Sequence, residues 1–284
     1  MGPGHLACQG CGAAMAMRYA LKALGGNTII AVPACCWSVI AGPFPYSNLE
    51  IPLFHCAFET AAATASGIRA ALSVKGRDDV TVLAWAGDGG TFDIGFQALS
   101  GAAERGEDII YCCYDNEAYM NTGIQRSSAT PLGAWTTTSP EDFPKEVPKK
   151  DIDRIMAEHR IPYVATASIA YPFDLMEKFK KAKKIRGTKF LHILAPCPPG
   201  WRVASDVTVE IARLATDSRV FPIFEIFNGT RYVMNIEPKG IQVEEYVRRQ
   251  GRFSHLTTDD IERIKGDVLW RWNRLVEDCG RSGP

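Results

Sequence analysis

Two segments of the sequence carry side chains that could bind a metal ion, each directly after an apolar run. Residues 87–90 read Gly-Asp-Gly-Gly after the run 81–86, and Asn116 follows the run 109–114. The Asp88 carboxylate, the Asn116 amide and nearby backbone carbonyls are oxygen ligands that Mg2+ accepts, often together with phosphate groups. The glycines let backbone N–H groups approach an anion closely. The pattern therefore predicts a diphosphate bound through a metal ion.

The elements around these segments should place them at one edge of a sheet. The apolar runs predict two buried strands, and the helical spacing of apolar residues from Phe92 to Arg105 predicts a helix between them. Parallel strands joined in this way end at the same edge, where ligands of such sheets bind. We therefore predict an α/β fold with a mostly parallel sheet and helices on both faces.

A Gly-Asp-Gly sequence is often only a turn, and this alternative has to be weighed. Here a strand precedes it, a helix follows it, and Asn116 stands 28 positions after Asp88. This arrangement resembles the thiamine diphosphate motif, which favours a cofactor site over a simple turn.

The nine cysteines fall into two groups by their surroundings. We expect Cys112 and Cys113, inside an apolar strand, to be small core residues, and Cys56 and Cys279 receive the same interpretation. The remaining cysteines are candidates for redox or metal chemistry: Cys8, Cys11, Cys35, Cys36 and Cys197.

Cys8 and Cys11 form a Cys-x-x-Cys pair before a helical run at 13–24. Such a pair serves as a redox disulfide, a zinc site or an iron–sulfur site. A redox pair usually follows a strand, and none precedes this one. Either metal centre needs two further ligands, and Cys35 or Cys36 together with Cys197 could supply them, because they follow strands predicted at 28–32 and 190–195. The spacing alone leaves zinc and iron–sulfur open.

Composition excludes several classes of protein. The 284 residues are 46% hydrophobic, and 32 basic residues balance 32 acidic ones, so nothing points to nucleic acid or to an anionic membrane. No apolar stretch reaches the roughly 18 to 20 residues of a membrane span. Residues 1–5 lack the basic and apolar segments of a signal peptide, so we expect a cytoplasmic protein.

Several long runs, spread over almost the whole chain, carry a family resemblance. They are 4–12, 44–46, 57–59, 87–95, 114–128, 133–140, 197–201 and 250–253. In these runs the sequence resembles the beta subunits of the 2-oxoacid:ferredoxin oxidoreductase family, and those of pyruvate:ferredoxin oxidoreductases in particular.

The resemblance implies thiamine diphosphate with Mg2+ and, beside it, one 4Fe-4S cluster. At the cysteines it therefore implies an iron–sulfur cluster and not a zinc ion. The implied cluster ligands are Cys8, Cys11, Cys36 and Cys197. Cys36 is preferred to Cys35 because it lies eight residues before Phe44, as the family cysteine does before the matching aromatic residue. Cys35 would then be a neighbour that contacts the pyrimidine of the cofactor through its backbone.

The remaining site residues also follow from the resemblance. Asp88, Asn116 and the carbonyl of Ala118 would hold Mg2+, with Gly87, Gly89 and Gly90 at the diphosphate. Phe58 would pack against the cofactor. Asn121, the implied catalytic residue, and Thr122 would face the diphosphate and the reactive thiazolium carbon. Glu59 is not assigned, because in the family the activating glutamate comes from another subunit.

The implied reaction is oxidative decarboxylation of a 2-oxoacid, with coenzyme A as acyl acceptor and electrons leaving through the cluster to ferredoxin. Pyruvate is the first candidate substrate, and 2-oxoglutarate, oxalate or an aryl glyoxylate are alternatives. The implied partners are an alpha subunit with the activating glutamate and substrate site, and gamma- or delta-type subunits with further 4Fe-4S clusters. The chain alone should be inactive. The alternative from another functional class is a non-catalytic scaffold subunit that holds an iron–sulfur cluster or zinc.

The rest of the chain is interpreted mainly as structural. We predict one domain over 1–284, with 220–284 as a C-terminal extension that contains a hairpin around Asn228 and Gly229 and packs on the domain or on a partner. A polar loop should span 119–150. The resemblance implies that the loop beyond Asn121 and Thr122 meets the partner subunit, and a solvated surface loop is the alternative for its later half. The lysines of 178–184 should form a solvated helix face, with a basic patch for an acidic ferredoxin as the alternative. Further helices are predicted at 57–72, 150–159, 172–184, from beyond 201 to 216, and 258–277, with a strand at 163–167.

Overall fold

The computed structural model of the chain describes residues 1–281, without the side chain of residue 281. Its strands form one eight-stranded sheet in the order β2-β1-β3-β4-β6-β5-β7-β8. The strands are β1 Thr28–Pro33, β2 Leu53–Cys56, β3 Thr81–Gly87, β4 Ile110–Asp115, β5 Tyr163–Ser168, β6 Lys189–Leu194, β7 Ile223–Phe227 and β8 Arg231–Ile236. The pairs among β1 to β6 are parallel, and β7 and β8 are antiparallel additions at one edge.

Helices cover both faces of this sheet, as predicted. They are α1 Gly12–Leu24, α2 Cys36–Ile40, α3 Ala61–Val74, α4 Phe96–Glu104, α5 Ile152–Glu158, α6 Pro172–Lys184, α7 Pro198–Trp201, α8 Thr208–Asp217, α9 Val243–Arg248 and α10 Thr258–Arg281. The central strands are buried on both sides, because alternate residues enter opposite cores. Trp85 packs in the core under α1 and α6, whereas Ala84 packs in the core under α3, α4 and α5. Cys112 and Cys113 divide between the two cores in the same way, which confirms that they are core residues.

The strand register brings the chemically interesting segments to one edge. Gly87 of β3 pairs with Tyr114 of β4, and Asp115 pairs with Leu194 of β6. Asp88 and Asn116 therefore leave neighbouring strands at the same edge, as the sequence predicted.

Three predicted helices differ from the observed ones. The helix predicted from 57 begins at Ala61, because the unpredicted β2 and a turn come first. The helix predicted from Phe92 is divided into a π-helical turn, Gly89–Asp93, and α4. The helix predicted from beyond 201 begins only at Thr208, as α8, because Arg202 has a left-handed backbone with φ 53° and ends the preceding short helix α7. Strand β2 has only four residues and none is fully buried, so its sequence pattern is weak.

The hairpin prediction is confirmed. Strands β7 and β8 are antiparallel, and the connection has left-handed backbone at Asn228 (φ 52°) and Gly229 (φ 75°). This is the conformation that an Asn-Gly turn favours. Helix α10 then packs against β8 and α9, so this part of the chain covers the antiparallel edge.

Two predicted surface segments are partly buried. Lys178 is 1% exposed and donates to the carbonyl of Thr166 and to Asp174, so the prediction of a solvated lysine face is wrong at this residue. The segment between β4 and α5 contains no helix or strand, as predicted. Its later half, from about residue 135, is mostly exposed, although Thr136, Ser139 and Lys145 are buried there. No helix within residues 1–281 is long and apolar enough to cross a bilayer.

Candidate cofactor and cluster site

A pocket of about 140 Å3 lies where β3 and β4 end. Asp88 is the sole acidic residue that lines it. All nine residues predicted to contact the cofactor line this pocket: Cys35, Phe58, Gly87, Asp88, Gly89, Gly90, Asn116, Asn121 and Thr122. The fold therefore brings together residues that are spread over almost 90 positions of the sequence.

Asp88, Asn116 and Ala118 converge in a way that suits Mg2+. One terminal atom of the Asn116 amide lies 3.0 Å from Asp88 Oδ1 and 2.9 Å from the carbonyl oxygen of Ala118. If this atom is nitrogen, it donates to both oxygens. If it is oxygen, it stands about 3 Å from each of the other two oxygens, which is the edge of an octahedron with metal–oxygen distances of about 2.1 Å. A half-turn of the amide exchanges the two arrangements, so these residues fit a magnesium ion.

The surroundings of Asp88 favour a cation at the same point. Asp88 is 1% exposed, and the Ser127 hydroxyl donates to Oδ2. Burial, followed by the nearby charge of Asp115, raises the pKa of Asp88 well above its usual range. A buried carboxylate is costly without a compensating cation. A metal ion next to Oδ1 would supply that compensation.

The glycine turn is shaped by the ring of Tyr119. A Cβ atom at Gly89 would stand 2.2 Å from Cε1 of Tyr119, so no larger residue fits. Tyr119 is held there because its hydroxyl donates to Asp93 at 2.8 Å. The turn is π-helical, a geometry found frequently at functional sites. Gly89 and Tyr119 both line the pocket, so the absence of a side chain at Gly89 makes room for the Tyr119 ring there.

A second pocket, of about 380 Å3, adjoins the first. It is lined by all four predicted cluster ligands, Cys8, Cys11, Cys36 and Cys197. Cys35 lines the first pocket and not the second, and its thiol is hydrogen-bonded to Tyr114, so of the two adjacent cysteines only Cys36 reaches the second pocket. Cys36, Asn116, Met120 and Asn121 line both pockets and form the wall between them.

The cysteine pocket holds four of the five cysteines that the sequence singles out for redox or metal chemistry. Within residues 1–281, no group of three or more His, Cys, Asp or Glu side chains is arranged to hold a metal ion. The cluster at these four cysteines stays a prediction.

Cys36 and Cys197 would be neutral thiols without a metal. Burial, with smaller effects from neighbouring groups, raises the pKa of Cys36 to about 12 and that of Cys197 to about 11. Thiolates are the form that binds metal, so ligation must supply the free energy of deprotonation.

A buried network of six charged side chains lies behind the metal-binding residues. Its members are Asp115, Glu117, Lys149, Asp153, His192 and Arg252. Lys149 pairs with both Asp115 and Glu117, and His192 bonds Asp115 at 2.7 Å and Asp153 at 2.9 Å. Burial would lower the pKa of His192, but Asp153 and Asp115 outweigh it and raise the pKa to about 9.

Sequence reasoning missed this network because its members are far apart in the chain. Arg252 belongs to one of the runs that carry the family resemblance, yet no role was predicted for it. The repeated acids at 115 and 117, directly beside Asn116, were the one local signal.

The family of the chain follows from a family model and from curated relatives. Residues 38–193 match the family described as thiamine pyrophosphate enzyme, C-terminal TPP binding domain. The matched range contains every residue of the first pocket from Phe58 to Thr122, whereas the four cysteines of the second pocket lie outside it. The fold is thus that of a thiamine diphosphate enzyme domain.

Curated relatives extend over nearly the full chain. The ketoisovalerate oxidoreductase subunit VorB of Pyrococcus furiosus is 55% identical over 285 residues, which cover 96% of this chain and 91% of the relative. The pyruvate synthase subunit PorB of Methanothermobacter thermautotrophicus is 53% identical over 268 residues, which cover 93% of each chain. The chain belongs to the family of 2-oxoacid oxidoreductase beta subunits that includes these proteins.

A solved structure shares the fold. The 2-oxoglutarate:ferredoxin oxidoreductase from Magnetococcus marinus aligns with a TM-score of 0.60 and 23% identity, over 74% of this chain and 77% of that one. At this identity the match shows the fold alone.

Proposed function

We propose that the chain is the subunit of a 2-oxoacid:ferredoxin oxidoreductase that carries thiamine diphosphate, Mg2+ and one 4Fe-4S cluster. The observation that supports this most is the shared wall between the two pockets. Cofactor residues line one side of this wall and the four cysteines line the other. Carbon chemistry and electron acceptance would therefore take place in direct contact.

Each part of the first pocket has a task in this proposal. Asp88, Asn116 and the Ala118 carbonyl would hold Mg2+, and the backbone N–H groups of Gly89 and Gly90 would approach the diphosphate. When bound, thiamine diphosphate supplies the electron sink for decarboxylation of the 2-oxoacid. Asn121 is assigned the catalytic position because it lies in the wall and so borders both pockets. The cysteines would hold the cluster through which electrons leave.

The substrate has two candidates. Pyruvate is the first, and ketoisovalerate is the second, because the VorB and PorB relatives are nearly equally similar to this chain. Coenzyme A would accept the acyl group, and ferredoxin would accept the electrons.

Partner subunits complete the proposal. Asp88, the one acid in the first pocket, is committed to the metal, so the carboxylate that activates the cofactor would come from an alpha subunit. Glu59 is exposed and borders a different groove, which supports leaving it unassigned. Gamma- or delta-type subunits would carry further clusters to ferredoxin. A cytoplasmic location fits the free cysteines, since thiols stay reduced there.

The test is anaerobic isolation of the chain with its partners, followed by assays of thiamine, magnesium, iron and 2-oxoacid oxidation with each candidate substrate. We expect Asp88→Ala to lose thiamine diphosphate and turnover while the iron content stays. Asp79→Ala, an exposed aspartate before β3, is the matched control and should retain all of these properties. Retention of cofactor and turnover by Asp88→Ala would instead favour the scaffold subunit, and turnover by the isolated chain would refute the need for partners.

A further inference from the structure

We propose that Arg252 is a positioning residue that fixes the metal-binding turn, 116–118, against the cysteine-bearing turn, 197–201. The inference rests on the function proposed above and extends it to a C-terminal segment with no assigned role. Arg252 itself lines neither pocket. It would act through one side chain in each turn.

The first contact is with Glu117, the residue between Asn116 and Ala118. Arg252 Nη2 lies 2.6 Å from Glu117 Oε2, and the two residues are 2% and 3% exposed. Glu117 has a left-handed backbone, with φ 67°. A non-glycine residue adopts that conformation at an energetic cost, so surrounding contacts must hold it. The buried ion pair therefore helps to fix the peptide groups on both sides of Glu117.

The second contact is with Trp201, which ends the turn that begins at Cys197. The guanidinium carbon of Arg252 lies 3.9 Å from the centre of the Trp201 ring. The indole Nε1 of Trp201 donates to the carbonyl of Asn116 at 2.8 Å, and its backbone N–H donates to the carbonyl of Cys197 at the same distance. Trp201 is thus tied to both turns, and Arg252 covers its ring.

The cysteine-bearing turn is also in tight contact with Met120, which lies two residues after the metal-binding turn. A Cβ atom at Gly200 would stand 2.3 Å from Sδ of Met120, a residue of the wall between the pockets. A displacement of the cysteine-bearing turn would therefore act on Met120, because packed interiors do not deform freely.

Arg252 is itself held firmly. Its Nε donates to Gln250 at 3.0 Å, and its carbonyl accepts a hydrogen bond from the backbone of Trp135 at 2.9 Å. The backbone N–H of Gly251 donates to the carbonyl of Arg202. A Cβ atom added at Gly251 would stand 2.7 Å from the Cβ of Arg202. The segment 250–253 is therefore locked onto the end of α7.

These contacts need the chemistry of arginine. Its planar guanidinium can pair with a carboxylate at one edge while its face stacks on an aromatic ring, which a lysine ammonium does less well. Replacement of a residue that holds metal ligands in place commonly lowers metal affinity or activity by about 10- to 100-fold. A nearby positive charge also favours the reduced state of an iron–sulfur cluster, because net charge helps to set its reduction potential.

The experiment uses the anaerobically purified complex with Arg252→Gln and Arg252→Lys. Thiamine diphosphate affinity is measured at fixed magnesium, and the midpoint potential of the cluster nearest the cofactor is measured by EPR titration. We expect Arg252→Gln to weaken cofactor binding by about tenfold or more and to lower the midpoint potential. Arg252→Lys keeps the positive charge, so its cofactor affinity and its midpoint potential should both lie between those of Arg252→Gln and those of the wild type.

Arg69→Gln is the matched control. Arg69 is also buried, at 6% exposure, and pairs with Asp78, but it bonds the carbonyl of Val80 at the other end of β3. The substitution Arg69→Gln should lower the melting temperature without changing the thiamine diphosphate affinity or the midpoint potential of the cluster. If Arg252→Gln does not assemble, Arg252→Lys and Trp201→Phe carry the test, because Trp201→Phe removes the bond to Asn116 and should alter the same two properties.

The outcomes separate this inference from the proposed function. A wild-type complex with thiamine diphosphate and a cluster, together with Arg252 variants that change only the melting temperature, would overturn the positioning role and leave the proposed function standing. A wild-type complex without these cofactors would overturn both.

Discussion

Removal of the Lys149 charge should destabilise the chain strongly. Lys149 contacts two carboxylates, those of Asp115 and Glu117, and its side chain is 13% exposed while theirs are 0% and 3% exposed. With His192 protonated, the three cations of the buried network balance its three anions. The substitution Lys149→Met keeps the aliphatic bulk and leaves one negative charge without compensation. Breaking a buried pair in this way costs about 3–5 kcal/mol.

A second substitution should recover part of that loss. With both Lys149→Met and Asp115→Asn, the remaining charges form two one-to-one pairs, Glu117 with Arg252 and Asp153 with His192. The double variant should therefore be more stable than the sum of the single effects predicts. Coupling energies of about 0.5–3 kcal/mol are usual for residues in one network.

The assay is urea unfolding of the full chain, followed by circular dichroism, for the wild type, both single variants and the double variant. Lys149→Met combined with Glu177→Gln is the control, since Glu177 is exposed and pairs with Lys180 instead. The effects of these two substitutions on the free energy of unfolding should be additive. A cost below about 1 kcal/mol for Lys149→Met, or additivity within about 0.5 kcal/mol for the network pair, would refute the charge-balance reasoning.

Three further predictions follow from the site. Cys36→Ala should lose cluster iron, measured by iron analysis and EPR, whereas Cys35→Ala should keep it; the reverse result would exchange their roles. The pKa of His192 is raised from 6.5 to about 9, so its stabilisation is complete below pH 6.5 and is lost as pH rises through 9, a difference of about 3 kcal/mol. Urea midpoints should therefore fall more steeply over that window in the wild type than in His192→Gln, and equal slopes would contradict this. Gly89→Ala should abolish thiamine diphosphate binding, measured by calorimetry. Gly67→Ala should bind the cofactor normally, because nothing lies within 4 Å of a Cβ atom added there. Normal binding by Gly89→Ala would count against the close approach of the backbone to the cofactor.

The regular elements near the site were largely readable from the sequence. Strands β3 and β4 are uninterrupted apolar runs because they are buried on both faces, and parallel strands that end together must place Asp88 and Asn116 near each other. Short or irregular elements were not readable. The four-residue β2 gives little pattern, and the π-helical turn after Asp88 depends on the ring of Tyr119, which comes from a later segment.

The sequence by itself determined which chemical groups are available: one Gly-Asp-Gly turn with a distant asparagine, and cysteines at positions that could close a four-ligand set. Local residue types and spacing carry that information, because strand ends and turns are encoded over a few neighbouring residues. Only the tertiary structure placed Cys36, and not its neighbour Cys35, at the second pocket, and gave the two pockets a shared wall. It alone also brought Arg252 to Glu117 across 135 positions. Such contacts depend on the packing of whole elements against one another, and no local pattern in the sequence records that packing.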